Sequence, residues 1–80
     1  MSMRIDIVKE TCGFMRGRCE AVEITNEIES KKVFVYRGDA ALTAFWTGDM
    51  AFSIECRSCI KSKIETKSDN FGYVTITYKI

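Results

Sequence analysis

The stretch FSIECRSCIKSKIETK, residues 52–67, decides the fold class because its side chains alternate in character. Its even positions are mostly apolar or small, whereas its odd positions carry most of the charges. Alternation with a period of two is typical of a half-buried β-strand, whose successive side chains point to opposite faces. A helix would also place Phe52, Cys56 and Ile60 on one face, but it leaves Ile54 on the wrong one. We therefore predict a strand through these residues.

The neighbouring stretches predict two hairpins. Residues 68–70 are turn formers, and residues 73–78 are dense in β-branched and aromatic side chains, so they pair with the preceding strand in our prediction. Residues 22–28 alternate between apolar side chains and glutamates, residues 30–31 turn the chain, and residues 33–36 return as a strand. Residues 4–9 give a weaker strand signal.

Two stretches also admit a helix. Residues 20–32 place acidic side chains before basic ones, in the direction that a helix dipole favours. Asp39 could cap a short helix over residues 40–47 that ends at Gly48, with its large apolar residues on one face. The second stretch could equally be a further strand.

These signals predict a mainly β protein, with a β-rich α+β fold as the alternative. We expect one compact domain over residues 1–80, built as a small antiparallel sheet or partly rolled barrel. About five to six strands and at most one or two short helices are expected.

Composition limits the class of protein. Apolar residues make up 46% and charged residues 29% of the chain, and the formal net charge is +1, which is ordinary for a folded soluble domain. The first ten residues carry charges where a signal peptide needs an apolar segment, and no apolar run is long enough to span a bilayer. The sequence therefore predicts a cytoplasmic protein without a membrane partner.

The four cysteines, Cys12, Cys19, Cys56 and Cys59, provide enough thiolates for a closed tetrahedral zinc site. A straight strand would point the last two to opposite faces, so chelation requires the alternation to break at residues 57–58. The alternatives are that the cysteines are ordinary core and surface thiols, or that they form disulfides or a redox pair. The sequence leaves zinc, free thiols and disulfides open.

A candidate partner-binding element lies in the segment CGFMRGRC. Phe14, Met15, Arg16 and Arg18 are of residue types enriched at protein interfaces. The alternative is that Phe14 and Met15 turn inward and cover the core.

A candidate nucleic-acid surface lies on the predicted strand described first. Arg57, Lys61, Lys63 and Lys67 form a basic stripe, and Tyr73 could add a stacking ring. Aromatic and basic sheet surfaces bind single-stranded nucleic acid in many small β modules. Such a stripe is also what the solvated face of a sheet looks like.

An enzymatic role is not expected. The chain contains no histidine, the commonest general base and nucleophile activator, and no phosphate-binding glycine loop. Eighty residues also rarely enclose a ligand-sized pocket.

The sequence therefore predicts a small non-catalytic protein-binding domain, acting through the segment around Phe14 or through an edge strand. It could be an inhibitor from a phage or mobile element that blocks a host enzyme or defence complex by occlusion. The first alternative is a nucleic-acid-binding β module, and the second is a zinc-stabilised or thiol-sensing domain. Exposed edge strands would also permit a homodimer.

Overall fold

The computed structural model describes residues 3–12 and 17–80, which form eight strands and one turn of 3₁₀ helix at Lys61–Lys63. In chain order the strands are β1 (Arg4–Cys12), β2 (Gly17–Thr25), β3 (Ser30–Arg37), β4 (Leu42–Gly48), β5 (Ala51–Cys56), β6 (Ile64–Lys67), β7 (Asn70–Phe71) and β8 (Val74–Lys79). They form two sheets of four strands each. The predicted mainly β class is confirmed, with more strands than expected and no closed barrel.

The first sheet has the order β1-β2-β3-β6, and all its neighbours are antiparallel. The predicted hairpin in this sheet is confirmed as β2 and β3, but the chain turns at residues 26–29 rather than 30–31. Asn26 explains the shift, because its side-chain oxygen accepts hydrogen bonds from the amides of Ile28 and Glu29. Asparagine commonly forms such turns by binding the backbone just ahead of it.

The second sheet has the order β4-β5-β8-β7 and combines antiparallel pairs with one parallel pair, β5 and β8. The β7–β8 turn contains Gly72 with φ of 62°, a left-handed conformation that glycine adopts readily. The alternative helix over residues 40–47 is wrong, since most of that stretch is β4. Its threonines and aromatic residues are good strand formers, and pairing with β5 fixes the extended backbone.

The strand predicted through residues 52–67 is interrupted. Its first part is β5, but the chain bends at residues 57–58, passes through the 3₁₀ turn and continues as β6 in the other sheet. The period-two alternation therefore spans two strands of different sheets. The predicted hairpin with residues 73–78 is also wrong, because β8 pairs with β5 and β7 instead of β6. The helix considered for residues 20–32 is absent, since strands β2 and β3 occupy most of that range.

The core lies between the inner faces of the two sheets. The first sheet contributes Val22, Ile24, Val33, Phe34 and Tyr36, and the second contributes Phe52, Ile54, Phe71, Val74 and Ile76. Burial of these apolar side chains is the main favourable contribution to folding.

One side of this two-sheet sandwich is closed by hydrogen bonds. The Tyr78 hydroxyl donates to the Ser68 carbonyl at 2.5 Å, and the Ser68 amide donates to the Val33 carbonyl at 2.8 Å. The Ile76 amide donates to the Asp69 carbonyl at 2.9 Å. The β6–β7 connection is thereby bonded to both sheets. On the opposite side lie β1 and β4, each paired along one edge among the residues that the structure describes.

Candidate protein-binding surface

Strand β4 forms an exposed edge of the second sheet. It pairs with β5, and no other described strand pairs with it. Its sequence, LTAFWTG, contains no charged residue, and five of its seven residues are exposed. Natural proteins usually protect edge strands with charges, proline or a covering segment, because an open edge can pair with another chain. The uncharged edge of β4 is therefore a candidate binding surface.

Two aromatic residues and a methionine stand at this edge. Phe45 lies opposite Ser53 and is 42% exposed, whereas Trp46 lies opposite Phe52 and is 41% exposed. The Trp46 ring meets the Phe52 ring edge-on at a centroid distance of 5.5 Å, so core packing holds it in place. Met50, in the turn that follows, is 44% exposed. We call Phe45, Trp46 and Met50 the β4 patch.

A shallow groove adjoins the β4 patch. It has a volume of about 390 Å³ and is lined by Met3, Trp46, Gly48, Asp49 and Met50. Its lining is more apolar than polar and includes the Asp49 carboxylate, so it suits a mainly apolar side chain of a partner.

The charge around β4 is acidic. No lysine or arginine occurs in residues 38–56, whereas Asp39, Asp49 and Glu55 lie in this range. Asp39 precedes β4 and Asp49 follows it directly, and both are exposed. The strand is thus an uncharged segment with a carboxylate near each end.

Strand β1, the edge of the first sheet that lies on the same side of the sandwich as β4, differs from β4. It carries Arg4, Asp6, Lys9 and Glu10, and Arg4 forms an ion pair with Asp6 at 2.8 Å. Lys32 of β3 binds Glu10 at 2.7 Å, so charges also cover this part of the first sheet. Charges of this kind disfavour pairing with a further strand.

The partner-binding segment predicted from the sequence is described in part. Phe14, Met15 and Arg16 lie outside the described residues, so their proposed role stays a prediction. Arg18 is exposed on β2, and its carbonyl accepts a hydrogen bond from the Gly38 amide at 2.6 Å.

The sequence-based prediction did not select the β4 patch, although it allowed for binding through an edge strand. Phe45 and Trp46 fall on the apolar face of the helix considered for residues 40–47, which does not point to an exposed strand. The signal that could have identified them is the uncharged run between Asp39 and Asp49, which has the composition of an unprotected strand.

The four cysteines form two disulfides. Cys12 is bonded to Cys19 and Cys56 to Cys59, with Cα–Cα distances of 5.5 and 5.6 Å. The chain does bend at residues 57–58, the break that chelation would have required, and here that bend brings the two sulfurs of one disulfide together. Of the alternatives that the sequence left open, the structure forms the disulfides.

Zinc binding stays a prediction, and it applies to the reduced chain, because zinc is bound by thiolates rather than by disulfide sulfurs. Within the described ranges, no group of three or more histidine, cysteine, aspartate or glutamate residues is placed to hold a metal ion. A four-cysteine site would need both disulfides broken and the two pairs brought together.

The residues of the predicted nucleic-acid surface do not form a stripe on one strand. Arg57 lies in the bend after β5, Lys61 and Lys63 in the 3₁₀ turn, Lys67 on β6, and Tyr73 in the β7–β8 turn. The stripe is lost because the chain leaves the second sheet after Cys56.

The exposure of these five residues keeps the nucleic-acid hypothesis open. Tyr73 is 91% exposed, so its ring is free to stack. Lys67 is engaged differently: its ammonium lies 4.7 Å from the centroid of the Tyr78 ring and 3.9 Å from Asp69 Oδ1. Nucleic-acid binding stays a prediction.

Comparison of the chain with protein-family models, curated proteins and solved structures found no match. Among the residues described, none belongs to a helix of the length and apolarity needed to cross a membrane.

Proposed function

We propose that this protein is a non-catalytic binding domain that docks the β4 patch onto another protein. The observation that carries the proposal is the exposure of Phe45 and Trp46 on the uncharged edge strand β4, and of Met50 in the turn that follows it. Aromatic residues and methionine are enriched in protein interfaces, and aromatic anchors often provide much of the binding energy.

Burial of the β4 patch would contribute to the binding free energy, but it is too small to account for stable binding by itself. The exposed parts of its three side chains amount to roughly 250 Å², so their burial contributes about 6 kcal/mol at ~25 cal/mol per Å². Association costs about 4–15 kcal/mol in lost translational and rotational freedom. Stable binding therefore needs further contacts. These are available in the groove beside Trp46 and along the edge of β4 that no other described strand pairs with.

The mode of action that we propose is occlusion of a partner's surface. A domain of 80 residues without histidine has little means of transforming a substrate, whereas a rigid patch on a sheet edge can cover a functional surface. Its size and the lack of a catalytic motif support the proposal that it is a cytoplasmic phage or mobile-element inhibitor of a host enzyme or defence complex.

The test has two stages. A photo-crosslinking amino acid at position 45 is expected to trap one partner protein in the source cells, whereas the same group at position 6, on the charged β1 edge, is not. The partner is then purified, and its affinity for the wild type and for variants is measured in solution.

Two matched substitutions decide the outcome. Phe45→Ser is expected to weaken binding at least about tenfold, since a buried aromatic anchor often contributes more than 1.4 kcal/mol. Tyr73→Ser removes a more exposed aromatic ring from another turn and is expected to leave the affinity unchanged. Equal affinities of wild type and Phe45→Ser would overturn the proposal.

A further inference from the structure

The geometry points to strand addition at β4 as the way in which the partner binds. The partner then provides an extended segment with an uncharged centre and a basic residue at each end. This inference rests on the proposed function and specifies the partner's chemistry. In strand addition, an extended peptide pairs its backbone with a sheet edge, and side chains in adjoining pockets provide selectivity.

The backbone of β4 provides the first argument. The seven residues Leu42–Gly48 are extended and bonded to β5 along one edge, and no other described strand pairs with them. Along its free edge, a strand presents alternating amide and carbonyl groups ready for a partner. The register of the β4–β5 pair becomes irregular between Trp46 and Gly48, so we expect an added strand to end near that point.

The side chains of β4 provide the second argument. Phe45 and Trp46 follow each other in the strand, so they point to opposite faces of the sheet. A strand added at this edge would contact Phe45 on one face and Trp46, with its groove, on the other. A side chain of the partner can enter the groove while the neighbouring one packs on Phe45.

Charge selects the ends of the partner segment. Asp39 and Asp49 are exposed near the two ends of β4, and neither forms a salt bridge within the described part of the chain. Opposite charges facing each other across strands are favourable and like charges are unfavourable. A lysine or arginine at each end of the added strand therefore matches this edge.

The same charges disfavour a second copy of this chain. If two β4 strands paired antiparallel in full overlap, Asp39 of one copy would lie about two residues along the strand from the position that faces Asp49 of the other, which places it ~8 Å from Asp49 once the spacing between strands is included. The arrangement repeats at the other end by symmetry, and ~8 Å is about the screening length at physiological salt, so these like charges still repel each other. The homodimer that exposed edges would permit is thus not the occupant that these charges favour.

The test uses the 80-residue chain with both disulfides formed, together with a designed peptide. The peptide alternates valine and threonine over the length of β4, carries a lysine at each end and is N-methylated along one edge, so that only its other edge can pair. One control has glutamate at both ends, and a second is N-methylated along both edges. Binding is followed by the fluorescence of Trp46, the single tryptophan of the chain, and by hydrogen exchange of the β4 amides.

The expected result is that the lysine peptide shifts the Trp46 emission, slows exchange of β4 amides and binds about tenfold more tightly than the glutamate peptide at low salt. The doubly methylated peptide is expected not to bind. The double variant Asp39→Asn/Asp49→Asn should abolish the preference for lysine over glutamate while the β4 amides remain protected.

Other outcomes overturn the inference. The inference is wrong if the lysine peptide leaves the exchange of the β4 amides unchanged or protects the β1 amides instead. It is also wrong if the β4 amides become protected as the concentration of the protein alone rises, because that would show pairing between two copies of the chain. The proposed function is tested separately from strand addition, by the effect of Phe45→Ser on partner binding. If Phe45→Ser weakens partner binding but β4 amides exchange equally fast in the free protein and the complex, docking stands and strand addition does not.

Discussion

The hydroxyl of Tyr36 lies 3.1 Å from the amide nitrogen of Ile60 and accepts its hydrogen bond. The same hydroxyl lies 3.5 Å from the Ser58 carbonyl, to which it can donate. Tyr36 is a buried residue of β3, so its side chain connects the first sheet to the loop that the Cys56–Cys59 disulfide closes.

Replacing this hydroxyl should destabilise the fold. Tyr36→Phe leaves the Ile60 amide without its acceptor, and we expect the free energy of unfolding to fall by about 1–2 kcal/mol. Urea denaturation followed by Trp46 fluorescence measures the change. Tyr73→Phe, at a solvent-exposed turn, serves as the control and should have no effect. Equal stabilities of Tyr36→Phe and wild type would show that the hydroxyl makes no net contribution.

Tyr78 should make stability depend on pH in the alkaline range. Burial, together with the negative charge of Asp69, raises its pKa to about 12 from the usual 10.0. The unfolded chain therefore loses this proton first as the pH rises. The stabilisation is fully present below pH 10 and is lost between pH 10 and about 12.

The comparison that isolates this group is Tyr78→Phe. We expect the difference in unfolding free energy between wild type and variant to shrink as the pH rises above 10, because the variant has no proton to lose. A spectrophotometric titration should show a late tyrosine ionisation in the wild type that is missing from Tyr78→Phe. A difference that stays constant up to pH 12 would contradict the assigned pKa.

The buried carboxylate of Glu20 should be structurally important. Its Oε2 accepts a hydrogen bond from the Ala40 amide at 2.5 Å, which fixes the connection between β3 and β4. Glu20→Ala removes the acceptor, so we expect a loss of about 1–3 kcal/mol in unfolding free energy. Glu20→Gln keeps a carbonyl oxygen as acceptor and should therefore lose less unfolding free energy than Glu20→Ala. Glu27→Ala, on an exposed turn, should leave the unfolding free energy unchanged. Failure of Glu20→Ala to destabilise the protein would refute this role.

The two disulfides should contribute unequally. Their cysteines are separated by 7 and 3 residues, and on the chain-entropy model these loops stabilise the fold by about 2.5 and about 2 kcal/mol. We expect Cys12→Ser/Cys19→Ser to cost slightly more than Cys56→Ser/Cys59→Ser in thermal unfolding. The reverse order would mean that the packing of the buried Cys56 outweighs both the larger loop and the packing of the buried Cys19.

The oxidation state of the four cysteines in the cell bears on both the location of the protein and its predicted zinc binding. Disulfides are rare in a reducing cytosol, so rapid alkylation of living cells followed by intact-mass measurement tests the cytoplasmic prediction. A chain alkylated at all four cysteines would place it in a reducing compartment. A native mass spectrum of the reduced chain then shows whether zinc binds, and an unchanged mass after adding zinc would dispose of that prediction.

The nucleic-acid hypothesis can be separated from protein docking by salt. Contacts to phosphates weaken steeply as the salt concentration rises, whereas burial of an apolar patch responds little. We expect no salt-sensitive binding of single-stranded oligonucleotides at micromolar protein concentration. Binding that falls with salt and is lost in Tyr73→Ser, but not in Phe45→Ser, would favour the alternative instead.

Sequence patterns predicted the fold class because alternation and β-branched residues are local properties. They also located β1 and the β2–β3 hairpin. The break after Cys56 was not predicted as part of the fold because the alternation continues through residues 57–64, and only the change of sheet reveals it. The sequence left a helix and a strand open for residues 40–47, since Leu42, Phe45 and Trp46 fit one face of a helix as well as a strand. Which strands form edges depends on the assembly of the sheets, so the β4 patch could not be located from local pattern alone.

The parallel pairing of β5 with β8 affects how the protein can be made. Strand β8 is the last of the eight to be synthesised, yet it lies between β5 and β7 in the middle of its sheet. A nascent chain therefore leaves the edge of β5 that faces β8 unpaired until β8 has been made and has left the ribosome. Incomplete chains of this kind expose apolar surface and open strands and are prone to aggregate. Ribosome stalling shortly before β8 should accordingly yield insoluble fragments that require chaperones.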